Sequence, residues 1–170
     1  MDTAFNNGGR SGFNIEMQAL MLMMYKNAFE ITKDAKYKNS ENALKKNVLE
    51  KFWNGSLLAD NLIDKAIRPN IFIAYYLYPQ LLPNKEWEKC FENALKALWL
   101  EFGGLSTIDK KSPLFTPAHT GEYEKSYHNG DSWFWINNLA AIALFKVNKN
   151  KFKSKINKII GASTEEILWK

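Results

Sequence analysis

The sequence predicts an all-α protein built as an α/α toroid, with three pairs of inner and outer helices and long loops gathered at one end. Three observations carry this. Apolar segments with no polar stripe alternate three times with segments that have one apolar stripe; the links from striped to apolar segments are long, and the links the other way are short. An ordinary bundle gives every helix one wet face, so three helices apolar all round call for a second layer around them.

The elements follow in chain order. Residues Ile15 to Ile31 (IEMQALMLMMYKNAFEI) are apolar at nearly every position, which predicts an internal helix. Ser40 to Trp53 places Ala43, Leu44, Val48, Leu49 and Phe52 on one stripe opposite Lys and Glu, as an outer helix does. Ile71 to Tyr78 (IFIAYYLY) is again apolar all round. Lys85 to Phe102 returns to a stripe of Trp87, Phe91, Leu95, Leu98 and Phe102, with Pro83 and Asn84 marking its start. The third pair joins Trp133 to Val147 (WFWINNLAAIALFKV) to a Lys-rich amphipathic helix from about Lys151 to Ile160. Three pairs do not close a ring, so inner helices such as Ile15 to Ile31 are expected to show an uncovered apolar side.

Composition bounds the function. The 170 residues fit one domain, and 14% aromatic residues exclude a disordered tail or a simple coiled coil. No apolar run is long enough to span a membrane and no basic flank marks a signal peptide, so a soluble cytoplasmic protein without membrane contact is expected. The net charge of +5 rests on 21 Lys and two Arg, Arg10 and Arg68. That balance argues against nucleic acid, whose phosphates and bases favour Arg forks. The densest basic stretch, Lys146 to Lys158, reads as the solvated face of an amphipathic helix, with an anionic partner site as the alternative. Cys90 stands alone and reads as a small buried hydrophobe. His119 and His128 are the two histidines, and no metal, triad or phosphate-cradling motif accompanies them; neither metal nor cofactor is expected.

The long links run about 16 residues, Asn54 to Pro69, and about 30 residues, Gly103 to Ser132, and each ends where an inner helix begins. Their polar residues should therefore meet at one end of the layers. SYHNGDSW supplies Tyr127, His128, Asn129, Asp131 and Trp133, with Trp135 next to them. Aromatic faces stack on sugar rings, and Asp, Asn and His hold hydroxyl groups. Asp131 or Ser132 also reads as a helix N-cap. The other loop offers Asp60, Asp64, Arg68 and Asn70, with Arg68 either a clamp on the loop or a substrate contact. The N-terminal stretch adds Arg10, Glu16 and Gln18. A buried Glu16 needs a partner, for which Arg10 or Arg68 is expected; alternatively it favours the helix dipole.

Several stretches, in order, resemble one known family: MDT, GRSGFNIEMQAL, FWNGSLLAD, RPNIFIAYYL, GGLSTI with SPLF, and SYHNGDSWFWINNLAAIAL. Together they are similar to the C-terminal catalytic domain of glycogen debranching enzymes of the archaeal and bacterial amylo-α-1,6-glucosidase type. The resemblance implies about half of an (α/α)6 barrel. It also implies inverting hydrolysis of α-1,6-linked glucose at the branch points of a glycogen-like α-glucan, by two carboxyl groups about 6.5–9.5 Å apart. The family's acid lies in a Trp-Met-Asp motif that Asp2 matches, without the Trp. The family's base aligns beyond Lys170; Asp131, Glu165 and Glu166 are weak substitutes, and Ser163 or Thr164 reads as a cap before the two glutamates. The resemblance thus predicts an internal part of such an enzyme, completed by another polypeptide or by self-association, or a remnant that binds α-glucan without cleaving it.

Overall fold

The computed structural model describes residues 12–121 and 125–168. Six helices are found among them: α1 (Ile15–Thr32), α2 (Ala35–Phe52), α3 (Asn70–Leu77), α4 (Asn84–Leu98), α5 (Phe134–Asn148) and α6 (Lys153–Leu168). The expected all-α class holds. A short antiparallel pair, β1 (Trp99–Leu100) and β2 (Gly104–Leu105), follows α4.

The odd-numbered helices lie side by side, α1 against α3 and α3 against α5, while α2 packs on α1 and both α4 and α6 pack on α5. An aromatic cluster joins α3 to α4. Phe72 stacks on Phe91 with ring centres 4.6 Å apart, and Tyr75 meets Trp87 edge-on at 5.2 Å. These rings sit in one continuous core with Ile15, Leu22, Val48, Leu98, Leu144 and Ile159. Cys90 is fully buried, and burial pushes its thiol up to about 12.

Two details depart from the sequence expectations. Helix α4 ends at Leu98 rather than running to Phe102, and the chain turns through the hairpin instead. Gly103 has φ +109°, and a Cβ there would run into the backbone of Lys158, so this turn needs glycine. Helix α6 runs on to Leu168. Ser163 and Thr164 therefore stand inside it and do not cap it; the Thr164 hydroxyl donates back to the Ile160 carbonyl at 2.8 Å. Burial follows the expectation for a ring that is not closed. Helices α1 and α5 are apolar all round but not covered all round: Met17, Leu20, Met21 and Met24 form an exposed stripe on α1, and Trp135, Ile142 and Phe145 one on α5. The uncovered side expected for α1 is thus present.

Candidate functional site

Both long loops converge on the N-terminal ends of α1, α3 and α5. The backbone fastens the first loop to α1, where the Ile15 N–H donates to the Asp60 carbonyl at 2.9 Å and Asn14 bridges Asn61. It fastens the second loop to the first through the Asp109 N–H and the Ile67 carbonyl, also at 2.9 Å. Between the loops and the helix heads lies a cleft of about 440 Å3. First-turn residues of three helices reach it: Glu16 from α1, Asn70 and Ile73 from α3, Trp135 and Ile136 from α5. Three helix N-termini at one cleft add a positive potential that suits electronegative oxygen.

Arg68 is the clamp between the loops. Its guanidinium donates to the carbonyl of His128 at 2.6 Å and of Thr107 at 3.2 Å, and to Oδ1 of Asn129 at 3.4 Å. Its Nε lies 3.9 Å from the buried Asp60 carboxylate, and Asp64 lies at 4.0 Å. Asp60 also accepts from the Asn70 side-chain amide at 2.9 Å. The carboxylate thus braces two cleft residues from behind and does not itself line the cleft. Charge pairing and hydrogen bonds make this burial of Arg68 and Asp60 tolerable. Arg68 also lines the cleft, so the clamp role does not exclude a substrate contact.

Tyr127, His128 and Trp133 line the cleft together. The Tyr127 ring meets His128 at 4.7 Å and Trp133 at 4.5 Å, both edge-on, and the Trp133 indole donates to the Tyr127 carbonyl at 3.1 Å. The bonded indole fixes the orientation of its ring. Trp135, 58% exposed, supplies a second indole. Gly130 lets the loop pass close to its neighbour, because a Cβ there would overlap the Thr116 carbonyl.

Of the expected residues, Glu16, Arg68, Asn70, Tyr127, His128 and Trp133 come together in the cleft, and Asp60 stands behind it. Asn129 is buried; its amide donates to the Lys125 carbonyl and its oxygen receives Arg68, so it builds the loop. Asp131 braces the same loop through Ser126 and His119, each at 3.1 Å. Neither Asp131 nor Ser132 caps α5. Trp133 precedes the helix and no side-chain bond caps it, while Ser132 accepts from Asn137 at 2.9 Å. Gln18 is buried away from the cleft, beside Leu44, Val48 and Phe52 of α2. Two residues along a helix turn it by roughly 200°, so Glu16 and Gln18 face opposite ways. Glu165 and Glu166 line a separate cavity of about 350 Å3 with Phe102 and Phe134. Asp2 and Arg10 lie outside the described residues.

Sequence reasoning did not single out Thr107, Ile73 and Ile136 as cleft residues. Ile73 and Ile136 stand three positions after Asn70 and Trp133, one turn further along the same helix faces. Thr107 lies in GGLSTI, and its hydroxyl accepts from the Gly130 N–H at 2.9 Å. Among the described residues no group of His, Cys, Asp or Glu is arranged to hold a metal ion, and no helix is long and apolar enough to cross a membrane.

Fold and cleft define an all-helical domain whose helix heads present aromatic rings beside amide, imidazole and charged groups, chemistry that suits a polyhydroxylated ring. The family model for amylo-alpha-1,6-glucosidase matches residues 3–168, and the chain belongs to that family, as a domain of the glycogen debranching enzyme type. Comparison with curated proteins gives no match.

Proposed function

We propose that this chain is part of an inverting α-1,6-glucosidase that removes α-linked glucose from the branch points of a glycogen-like glucan. The observation that carries the reading is the cleft itself: in a chain of this family, two indoles, a tyrosine, a histidine, Arg68, Asn70 and Glu16 surround a space of sugar-binding size. Trp133 and Trp135 stack on the glucose ring, Asn70 and His128 hold its hydroxyl groups, and Asp2 protonates the leaving oxygen. The helix rows of α1, α3 and α5 with their outer partners are half of an (α/α)6 toroid in this reading. A completing polypeptide, or a second copy of the chain, covers the apolar side of α1 and α5 and brings the second carboxylate.

One observation favours a second reading, a glucan-binding remnant without turnover. Inversion needs two carboxyl groups across the bond, and among the described residues that line the cleft Glu16 is the one carboxylate. Glucose release from a phosphorylase-limit dextrin separates the two. The catalytic reading predicts release when the chain is mixed with the missing halves of a homologous enzyme, and loss of that release in Asp2→Asn. Saturable binding of the dextrin with no release in any mixture supports the remnant.

A further inference from the structure

The Lys-rich stretch that opens α6 does not simply face water. Its Lys151, Phe152 and Lys155 meet Lys96 of α4, Trp99 of β1 and Lys110 of the following loop around a groove of about 400 Å3 on the outer helix layer. Glu92 and Glu101 also line the groove, and each is paired: Lys151 holds Glu88 at 2.6 Å and Glu92 at 2.7 Å, and Glu101 lies 3.8 Å from Lys158. Among the described residues, neither Lys110 nor Lys155 has a carboxylate within the 4.0 Å of an ion pair. Lys110 donates to the Trp99 carbonyl at 2.7 Å. Lys155 Nζ sits 3.7 Å above the Trp99 ring.

Two further features mark the same pair of residues. Trp99 is 4% exposed, and its indole N–H has no acceptor, a state that buried donors rarely keep. Burial, together with Lys158 and Lys110, holds the Lys155 ammonium below its ordinary range despite the opposing field of Glu101.

We infer that the groove between α4 and α6 binds a small anion carrying a phosphate group, held by Lys110 and Lys155 over Trp99. The groove's four lysines exceed its two glutamates by two charges, a surplus that matches one phosphate dianion, and lysine binds phosphate as a point charge without the planar fork of arginine. The groove is the size of a small-molecule site and carries no Arg, unlike a surface for a nucleic acid strand. No residue that lines this groove also lines the cleft, so the site can be tested separately from the proposed activity.

The test follows the Trp99 indole 15N–1H resonance, assigned by its loss in Trp99→Phe, while inorganic phosphate replaces chloride at constant ionic strength. The expected result is a saturable shift, weakened about tenfold in Lys155→Met and in Lys110→Met, as the loss of a charge-assisted contact implies. Lys151→Met, whose charge Glu88 and Glu92 already neutralise, is expected to change the affinity less than about twofold. Circular dichroism of each variant confirms that it is folded. A parallel titration with glucose 1-phosphate identifies the source: tighter binding than phosphate assigns a sugar ester, equal binding assigns free phosphate. Absence of saturation, or equal weakening in Lys151→Met and Lys155→Met, overturns the site and leaves a diffusely basic face.

Discussion

Helices α1 and α4 are both rich in large apolar residues, yet the chain treats them differently. In α4 the apolar residues form one stripe, and Trp87, Cys90, Phe91, Ala94, Leu95 and Leu98 are all buried on it, with Lys and Glu on the far side. In α1 Ile15, Ala19 and Leu22 are buried against α2 and α3, while Met17, Leu20, Met21 and Met24 form a second apolar face that stays 39–51% exposed. The amphipathic helix is finished by this chain. The helix that is apolar all round has a face to spare, and the three unbranched Met side chains on it suit an adaptable contact.

Substitutions on the two helices and at the clamp between the loops break this comparison with effects of very different size. Phe91→Ala removes a ring stacked on Phe72 and should lower stability by about 3–5 kcal/mol in urea unfolding. Arg68→Met leaves Asp60 buried beside an uncharged side chain and frees the two loops. It should cost about 3 kcal/mol and weaken glucan binding, read by unfolding and by titration with maltooligosaccharide. Met21→Glu with Met24→Glu, on the exposed face of α1, should change monomer stability by less than about 1 kcal/mol. It should instead abolish any concentration-dependent association in sedimentation velocity. An equal loss of stability in the α1 and α4 variants would mean that the two faces do not differ.

A fourth effect is confined to pH. Glu41 is a buried residue of α2, where burial pushes its carboxyl up, but the Tyr78 hydroxyl and the Lys38 ammonium, hydrogen-bonded to it, outweigh that and hold it below its ordinary 4.5. A depressed carboxyl contributes stability above its unfolded-state value that is lost as pH falls through its folded-state value. Stability should therefore fall with acid below about pH 4.5, and the fall should be shallower in Glu41→Gln.

The helices were legible because side-chain periodicity reports burial directly. The stripe of α4 and the apolar runs of α1, α3 and α5 locate each helix to within a few residues. Periodicity also misled once. Phe102 falls four positions after Leu98 and extends the stripe, but the turn at Gly103 takes the chain out of the helix and leaves Phe102 exposed. The cleft was legible from where the loops end, since a loop that enters an inner helix delivers its polar residues to that helix's head. What lay outside the sequence were pairings between loops. Nothing local to Asp131 predicts that His119, twelve residues earlier, shares its carboxylate, or that Asn129 turns inward to receive Arg68 from 61 positions away. Gln18 was readable in principle, because the helical angle from Glu16 already sends it to the α2 side.

The measurement that tests the account most directly is the affinity of the chain for a phosphorylase-limit dextrin, taken by isothermal titration for the wild type and for Trp133→Ala. The account predicts saturable binding by the wild type and about tenfold weaker binding by the variant, as the loss of one stacking ring implies. Equal affinity in the two proteins would contradict the claim that the cleft at the heads of α1, α3 and α5 is where the glucan sits.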